Sequence, residues 1–551
     1  MFRHRILTSS AVLAVLASAV VTVPAGAASR SGGGEENYLV VYGNASQVQR
    51  GAVEARGGQV TADLSKAGVL AVKTSNPAAL RNLPGVTGVA RDRLVSVPHD
   101  QVQVVKGSDE GGGNDGGGNG CGSTEASCPL QWDLARIHVP QAWQQTQGSR
   151  SVKVAVLDTG LTSAHEEVGA NYDSEESVSF VQPNPFCSAD ATTFRSTQDF
   201  YGHGTWTATH VAGINGALMT GIAPRSTLVN VRVLGVCGFG LDSWVLEGML
   251  YGNEIGAQVE SMSLGGFLCG HGVVQGSFYC GNATDVGQDP ALWQVYENVV
   301  NYLLSNGTLV VAAAGNDHAQ LDRTGQVVSH GTLADITIGP DPANDFFGFT
   351  EAPGGVPGVV AVAALGRVNG AGSASETRFG RYGVGRTDQL SYFSNYGERI
   401  DVSAPGGARN FNIPRFDCLT SNCARAGTSS PTATDNPEDF GAWGVVGAPG
   451  SALCADCYAF VQGTSMATPQ VAGTAALALA ANPELSPRDL ASLLRRSVSE
   501  FANGDATPAI EDDPTKPTWN YSMDYDAPGI SNRLMGRGVI DAARAVRQGG
   551  D

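Results

Sequence analysis

The chain has 551 residues, including 72 glycines, with 42% hydrophobic and only 16% charged residues, and a formal net charge of -18 at pH 7. A length prior of about 150 residues per domain allows three or four units. The acidic balance argues against nucleic acid or an anionic membrane surface as a partner and fits a soluble acidic protein.

The first segment, MFRHRILTSSAVLAVLASAVVTVPAGAAS, has a basic start at Arg3 and Arg5, an apolar stretch from Ala11 to Val23, and a small-residue cleavage signal at Ala25-Gly26-Ala27. Residues 1–27 are therefore expected to be a secretory signal peptide; the competing reading, an anchoring helix, is opposed by the short apolar stretch and Pro24. Export places the ten cysteines (121, 128, 187, 237, 269, 280, 418, 423, 454, 457) in an oxidising setting. Close spacing suggests the pairs Cys121 with Cys128, Cys269 with Cys280 and Cys418 with Cys423. Cys454 and Cys457 could instead form a redox dithiol, or a zinc site with Cys418 and Cys423; after export, disulfides are the expectation.

Residues 37–98 read as a small α+β domain: NYLVVYGN strand-like, QVQRGAVEARGG helical, QVTADL and GVLAVKT strand-like, NPAALRNLPG a short helix, VTGVARDRLVSVP extended. A linker follows over 99–127, whose GSDEGGGNDGGGNG (107–120) is too polar and glycine-rich to bury anything. A short domain tethered this way suggests a removable pro-segment. From Cys128 onward the pattern alternates. VKVAVLD (152–158), TLVNVRVL (227–234), QVESMSL (258–264), TLVVAAA (308–314) and GVVAVAAL (358–365) are apolar runs of the kind that strands covered on both faces require. TWTATHVAGI, SWVLEGMLYGNEIGA and ALWQVYENVVNYLLSN lie between several of them as helices. The expected fold is α/β, a doubly wound, mostly parallel sheet with helices on both faces, spanning 128–548. SPRDLASLLRRSV, with its serine cap and Pro487, reads as a scaffold helix.

Chemistry in such a sheet gathers beyond the carboxyl ends of the strands. Asp158 ends VKVAVLD, as a functional carboxylate or a turn-forming Asx residue. In DFYGHGTWTATHVAG, His203 stands just before a helix, with His210 seven residues on and on nearly the same face. SLGG (263–266) and AAAGN (312–316) are glycine-rich loops that allow a ligand backbone close, and the Asn316 amide could donate to a developing oxyanion. In FVQGTSMATPQVAG, Ser465 is an N-cap or a nucleophile at a helix start, with Pro469 expected in the first turn. A carboxylate, an imidazole, an amide donor and a hydroxyl at matching positions of one sheet are a constellation that coincidence rarely supplies.

These motifs, VLDTG, HGT, VRVLGVCGFGLDSW, ESMSLGG, VVAAAGND, YFSNYGERIDVSAPG, GTSMATP and GRGVIDAARAV, resemble those of secreted subtilisin-like serine proteases (subtilases) with an inhibitory N-terminal propeptide. The resemblance covers nearly everything after residue 27. It implies Ser465 as nucleophile, His203 as general base then acid, Asp158 as orienter of the imidazole, and Asn316 with the Ser465 N–H as oxyanion hole. It implies that Gly238, Phe239 and Gly240, and Ser263, Leu264 and Gly265, pair with an extended substrate backbone, with Ala314 and Gly315 beside them. Residues 37–98 would be the inhibitor, its last strand near Val95–Asp100 threading the cleft. Expected partners are extended or unfolded polypeptides and the chain's own propeptide; no nucleic acid, no membrane after signal cleavage, and a monomeric, extracellular protein.

Three departures from the family pattern stand out. The turn INGALMTGIAP is shorter than the usual calcium-cradling loop, so that metal site is not expected; no cofactor is expected to be required, structural calcium elsewhere stays open without assignable ligands, and Glu167 is either an oxygen ligand for it or, as the expected reading, a solvated surface carboxylate. Residues 317–350 and 408–457 read as insertions, the second pinned by disulfides and able to restrict the cleft. Glu351 falls where a glycine usually forms the base of the primary specificity pocket: either a buried carboxylate favouring Lys or Arg before the cut, or a loop side chain facing water. The function expected is a secreted, self-inhibited serine endopeptidase working through an acyl-enzyme. The alternatives are a dedicated maturation protease for one exported peptide, or a non-catalytic binding protein on this fold. An esterase-type hydrolase would want a GxSxG elbow, which GTSMA lacks.

Overall fold

The computed structural model describes residues 35–97, 101–104, 131–214, 219–268, 289–328, 347–368, 387–391, 393–407, 445–447, 459–501 and 532–550. The signal segment, the stretch 107–120 and the three cysteine pairs suggested by spacing lie outside these residues, as do Cys454 and Cys457.

The first unit is a four-stranded antiparallel sheet of β1 (Glu36–Tyr42), β2 (Gln59–Leu64), β3 (Val69–Thr74) and β4 (Val86–Arg91), in the order β2-β3-β1-β4. Strand side chains alternate between faces, and here both faces are buried. Tyr38, Val40 and Tyr42 pack with Val53 and Leu80 from helices α1 (Arg50–Glu54) and α2 (Pro77–Arg81). Leu39 and Val41 instead join the core of the larger unit. That is why NYLVVY reads as an apolar run without alternation. The outer face docks on α4 (Asp242–Glu254) and α5 (Asp289–Ser305). β4 comes so near α5 that a Cβ on Gly88 would stand 2.5 Å from Ala291 Cβ. Two short strands continue the chain, β5 (Leu94–Ser96) and β6 (Gln101–Val104), the second inside the stretch expected as a linker.

The larger unit is built on β7 (Lys153–Asp158), β8 (Thr227–Arg232), β10 (Val259–Met262), β12 (Leu309–Ala313), β14 (Val360–Val368) and β15 (Val402–Pro405), parallel and ordered β15-β14-β12-β10-β7-β8. Short strands extend both edges, and Thr387–Leu390 pairs antiparallel with β14. The chain leaves β7 to form β8 on one side, then crosses to form β10 on the other. β7 and β10 thus flank a topological switch point, where a crevice opens beyond the strands' carboxyl ends.

The central helix, α6 (Thr464–Ala481), is apolar all round and its residues 464–479 are all buried, as such a helix must be. It begins with Gly463 as N-cap, which makes Pro469 its sixth residue rather than a first-turn proline. The missing N–H at Pro469 leaves the Ser465 carbonyl without its helical donor, and Ser263 Oγ–H donates to that carbonyl instead, at 2.8 Å. α3 (His203–Ala212) packs against α6, and a Cβ on Gly473 would lie 3.3 Å from Val211 O. α7 (Pro487–Arg496) is capped as its sequence indicates, the Ser486 hydroxyl accepting from Asp489 N–H. Among the described residues no helix is long and apolar enough to cross a membrane.

Cys187 and Cys237, unpaired by the spacing argument, form a disulfide with Cα atoms 6.0 Å apart and a sequence separation of 50. It fixes the loop before β9 (Phe239–Leu241). Closing a loop of that length is worth about 4 kcal/mol in the chain-entropy account. Replacing both cysteines by serine should lower the denaturant midpoint by the equivalent of about 2–4 kcal/mol; an unchanged midpoint would mean that other contacts hold these loops.

Candidate active site

Asp158, the last residue of β7, is fully buried. Its Oδ1 bonds His203 Nδ1 at 2.7 Å and accepts the Thr159 N–H at 2.7 Å, while Oδ2 accepts the Thr207 hydroxyl at 3.1 Å. With Nδ1–H donating to the carboxylate, Nε2 is the basic nitrogen of the ring. His203 itself opens α3 and is 6% exposed. His210 plays no part here: its Nε2 bonds Asp133 Oδ2 at 2.8 Å and its ring stacks on Trp206.

Ser465 is the second residue of α6, in the exposed-donor turn of a helix rather than at its N-cap. Its hydroxyl donates a long 3.4 Å bond to the Ser263 carbonyl, just after β10. His203 and Ser465 are thus tied to the carboxyl ends of adjacent strands. Asn316, after β12, accepts at Oδ1 from both the Thr464 N–H (2.9 Å) and the Thr464 hydroxyl (2.8 Å). A backbone N–H can only donate, so Oδ1 must face Thr464 and the NH2 becomes the donor end of the amide. The NH2 and the Ser465 N–H belong to two segments locked together by Thr464.

The chain's own residues 94–97 occupy the groove beside these groups. β5 pairs antiparallel with β9, Gly240 opposite Val95 and Phe239 opposite Ser96. Val97 N–H donates to Gly238 O at 2.9 Å. On the other edge, Ser96 and Gly265 exchange two bonds of 3.3 and 3.2 Å. Gly238 has φ of 79°, a conformation that suits glycine. Further on, β6 pairs antiparallel with Ala459–Gln462, the strand leading into α6. Ala314 and Gly315 form the facing loop, and Leu264 is buried between Ser263 and Gly265.

Glu351 does not face water. It is 2% exposed on the strand Thr350–Ala352, opposite Phe267, and burial and Asp317 push its carboxyl well above the usual range, against the Gly266 N–H. Glu167 is a correction to expectation: it is fully buried, and Oε1 accepts the Met219 N–H at 3.1 Å. Its polar sequence neighbourhood, TSAHEEVGANYD, gave no hint of the buried turn it closes. Among the described residues, no group of three or more His, Cys, Asp and Glu could hold a metal ion.

Two supporting residues escaped sequence reasoning. Asp199, buried, accepts five hydrogen bonds, from Thr159 Oγ1, Tyr201 N, Gly202 N, Thr205 N and Thr205 Oγ1, and so fixes the start of α3. Burial raises its pKa. The signal was available, an acid in DFYGHGT four residues before the histidine, but a cap and a surface acid look alike in sequence. Asn395, inside YFSNYG, braces the Asn316 loop: Nδ2 donates to Ala314 O, and Oδ1 accepts from Asp317 and Ala319. Asp199→Ala should leave several buried donors unpaired and cost on the order of 3 kcal/mol of stability, read as a lower denaturant midpoint; a loss under ~1 kcal/mol would assign the start of α3 to other contacts.

Comparison with known proteins identifies the family and the fold. Subtilisin Savinase of Lederbergia lenta is 26% identical over 375 residues, 68% of this chain and 93% of its own length. M-protease of Shouchella clausii (strain KSM-K16) is 26% identical over 375 residues, a match spanning 66% of that protein. Among solved structures, the epidermin leader peptide processing serine protease of Staphylococcus aureus shares the fold, with a TM-score of 0.60 at 19% identity over 94% of this chain and 99% of its own. Fervidolysin of Fervidobacterium pennivorans gives 0.54 at 20%, over 94% of this chain and 62% of its own. The family model described as the subtilase family matches residues 149–538. The chain belongs to the subtilase family and is a subtilisin-like serine protease.

Proposed function

We propose that the protein is a secreted endopeptidase made as a self-inhibited precursor, with Asp158, His203 and Ser465 as its triad. His203 Nε2 takes the proton as Ser465 Oγ attacks the scissile carbonyl, and later gives it to the leaving amine, releasing the amine from an acyl-enzyme that water hydrolyses. Asp158 holds the imidazole and stabilises its charge. Asn316 Nδ2 and the Ser465 N–H receive the oxyanion. The observation that carries this reading is a polypeptide strand, residues 94–97, hydrogen-bonded on both edges in the groove that leads to Ser465. Main-chain pairing of this kind suits extended or unfolded substrates. The same contacts support residues 37–98 as an intramolecular inhibitor, and the sequence of residues 1–27 supports export. A dedicated maturation protease would use identical chemistry; the Staphylococcus aureus relative is an epidermin leader peptide processing serine protease, and a narrow cleavage profile would favour that reading.

The test is a fluorophosphonate probe on protein recovered after self-processing. Wild type should label at Ser465 and cleave denatured protein, and Ser465→Ala should do neither. Asn316→Ala should lower turnover by about 10²–10³, a magnitude established on a subtilisin rather than derived from this geometry. Absence of wild-type labelling would make the protein a binding module on a protease fold.

The docking of residues 35–97 carries its own pH dependence. Asp92 accepts from Ser243 N and Oγ, and Arg93 N–H donates to Asp242 Oδ2, which places two carboxyls together at the start of α4. Burial raises Asp92 to about 7, with Asp242 adding to the shift, and burial raises Asp242 to about 6, against the Tyr296 hydroxyl and Arg93. Both groups hold protons more tightly docked than free. Their contribution is therefore full below the ordinary value of 3.8 and is lost as pH rises through about 6 and about 7. The cleaved propeptide should dissociate faster at pH 8 than at pH 5, and Asp92→Asn should flatten that dependence; an off-rate independent of pH in wild type would refute it.

A further inference from the structure

We propose that the loop 184–190 is a clamp on the substrate groove: through the Cys187–Cys237 disulfide and the Asp190 carboxylate it sets the backbone of the groove edge before a substrate arrives. Asp190 and the two cysteines are then positioning residues for binding. This rests on the endopeptidase reading and names what the affinity of that site for an extended chain depends on.

The edge needs such a device. β9 stands apart from the main sheet, and among the described residues its one strand partner is β5. β5 belongs to the segment that has to vacate the groove before a substrate enters, so the working enzyme keeps β9 without a ladder. The far end of β9 is held by Leu241, in one apolar cluster with Val181 and Trp244. Its entry is a turn containing Gly235 and Gly238, and glycine has the most backbone freedom to lose. Order gained only on binding is subtracted from affinity.

That turn is tied at consecutive residues. Gly235 N–H donates to Phe239 O at 2.9 Å and Gly238 N–H to Gly235 O at 3.0 Å. Between them, Val236 N–H donates to Asp190 Oδ1 at 2.9 Å, and Cys237 is bonded to Cys187. The next residue, Gly238, is the one whose carbonyl takes the Val97 N–H. Asp190 is fixed in turn: its Oδ2 accepts from Asn184 Nδ2 at 2.8 Å, and Asn184 Oδ1 accepts the Cys187 N–H at 2.8 Å. The buried Arg232 guanidinium stands 3.6 Å from Asp190 Oδ1 and compensates its charge. A Cβ on Gly235 would lie 2.3 Å from Asp190 Oδ2, so the turn admits the carboxylate only because residue 235 has no side chain.

The clamp is separate from the chemistry. The turn that carries His203 is held by the five bonds to Asp199, and none of the clamp's contacts reaches Asp158, His203 or Ser465. Main-chain pairing along β9 is made in the ground state and the transition state alike, so loosening it raises KM and spares kcat. Only a substrate with residues placed as Val95–Val97 are can feel the loss. A substrate of one residue does not reach β9.

The experiment measures kcat and KM for Ala-Ala-Pro-Leu p-nitroanilide and for the one-residue substrate N-acetyl-leucine p-nitrophenyl ester, using processed protein from the full chain. Cys187→Ser with Cys237→Ser, and separately Asp190→Ala, should raise KM for the peptide about 10-fold with kcat within about two-fold, and leave the ester kinetics as in wild type. The cysteine pair decides if Asp190→Ala, which strands the Arg232 charge, does not fold. An unchanged peptide KM in the folded variants overturns the inference, as does an equal loss on the ester, which would make the loop a general support of the fold. In either case fluorophosphonate labelling of wild type keeps the endopeptidase reading intact; failure of that labelling takes both down.

Discussion

The 2.7 Å bond between Asp158 and His203 joins the end of β7 to the start of α3, and the rest of the site is arranged around it. A carboxylate that ends a fully buried strand must have its oxygens satisfied, or its desolvation would go uncompensated. Thr159, Thr207 and His203 supply the donors, and each of them thereby acquires a fixed place. The imidazole cannot rotate without stranding a buried charge. A residue chosen for chemistry is positioned by the same hydrogen bonds that make its burial tolerable.

The same logic runs outward from the strands β10 and β12. Ser263 Oγ–H occupies the Ser465 carbonyl that Pro469 leaves without a donor, and Thr464 occupies Asn316 Oδ1. The helix that carries Ser465 is buried on every side and has few polar anchors to the sheet. Its register is fixed by the contacts of its first turn and by Gln470, whose Nε2 donates to the Pro405 carbonyl at 2.5 Å. Asn395 and Asp199 extend this lattice one layer back, holding the Asn316 loop and the α3 turn. Because the polar groups of the site satisfy one another, the site is rigid before a substrate arrives, which is what stabilisation of a developing charge requires.

Residues 35–97 depend on this frame in turn. Their sheet buries its own helices on one face and the larger unit on the other, so the unit is incomplete alone. The contacts that fix it are of different kinds: among them an apolar face on α4 and α5 is indifferent to pH, and the Asp92 and Asp242 cluster is not. The groove strand 94–97 follows immediately after that cluster. Docking and occupation of the cleft are therefore mechanically linked through a few residues of chain.

Periodicity and local motifs determined much of this in the sequence alone. Apolar runs ending in Asp158, in Ser263 to Gly265 and in Ala314 to Asn316 read as buried parallel strands with loops at one end, and β7, β8, β10, β12 and β14 fall where such runs lie, whereas β15 is too short to have stood out as one. The motifs around His203 and Ser465 were legible because tight turns demand particular residues. What the sequence did not decide was anything made by residues far apart meeting in space. Nothing local distinguishes Asp199 or Asn395 from other turn residues, pairs Cys187 with Cys237 across 50 positions, buries Glu167, or moves Pro469 from the first turn to the second. Glu351 lay open between a pocket floor and a surface loop until the sheet brought it behind Gly265 and Gly315. Burial of a polar side chain is a property of the packed chain, since it requires partners that only tertiary structure delivers.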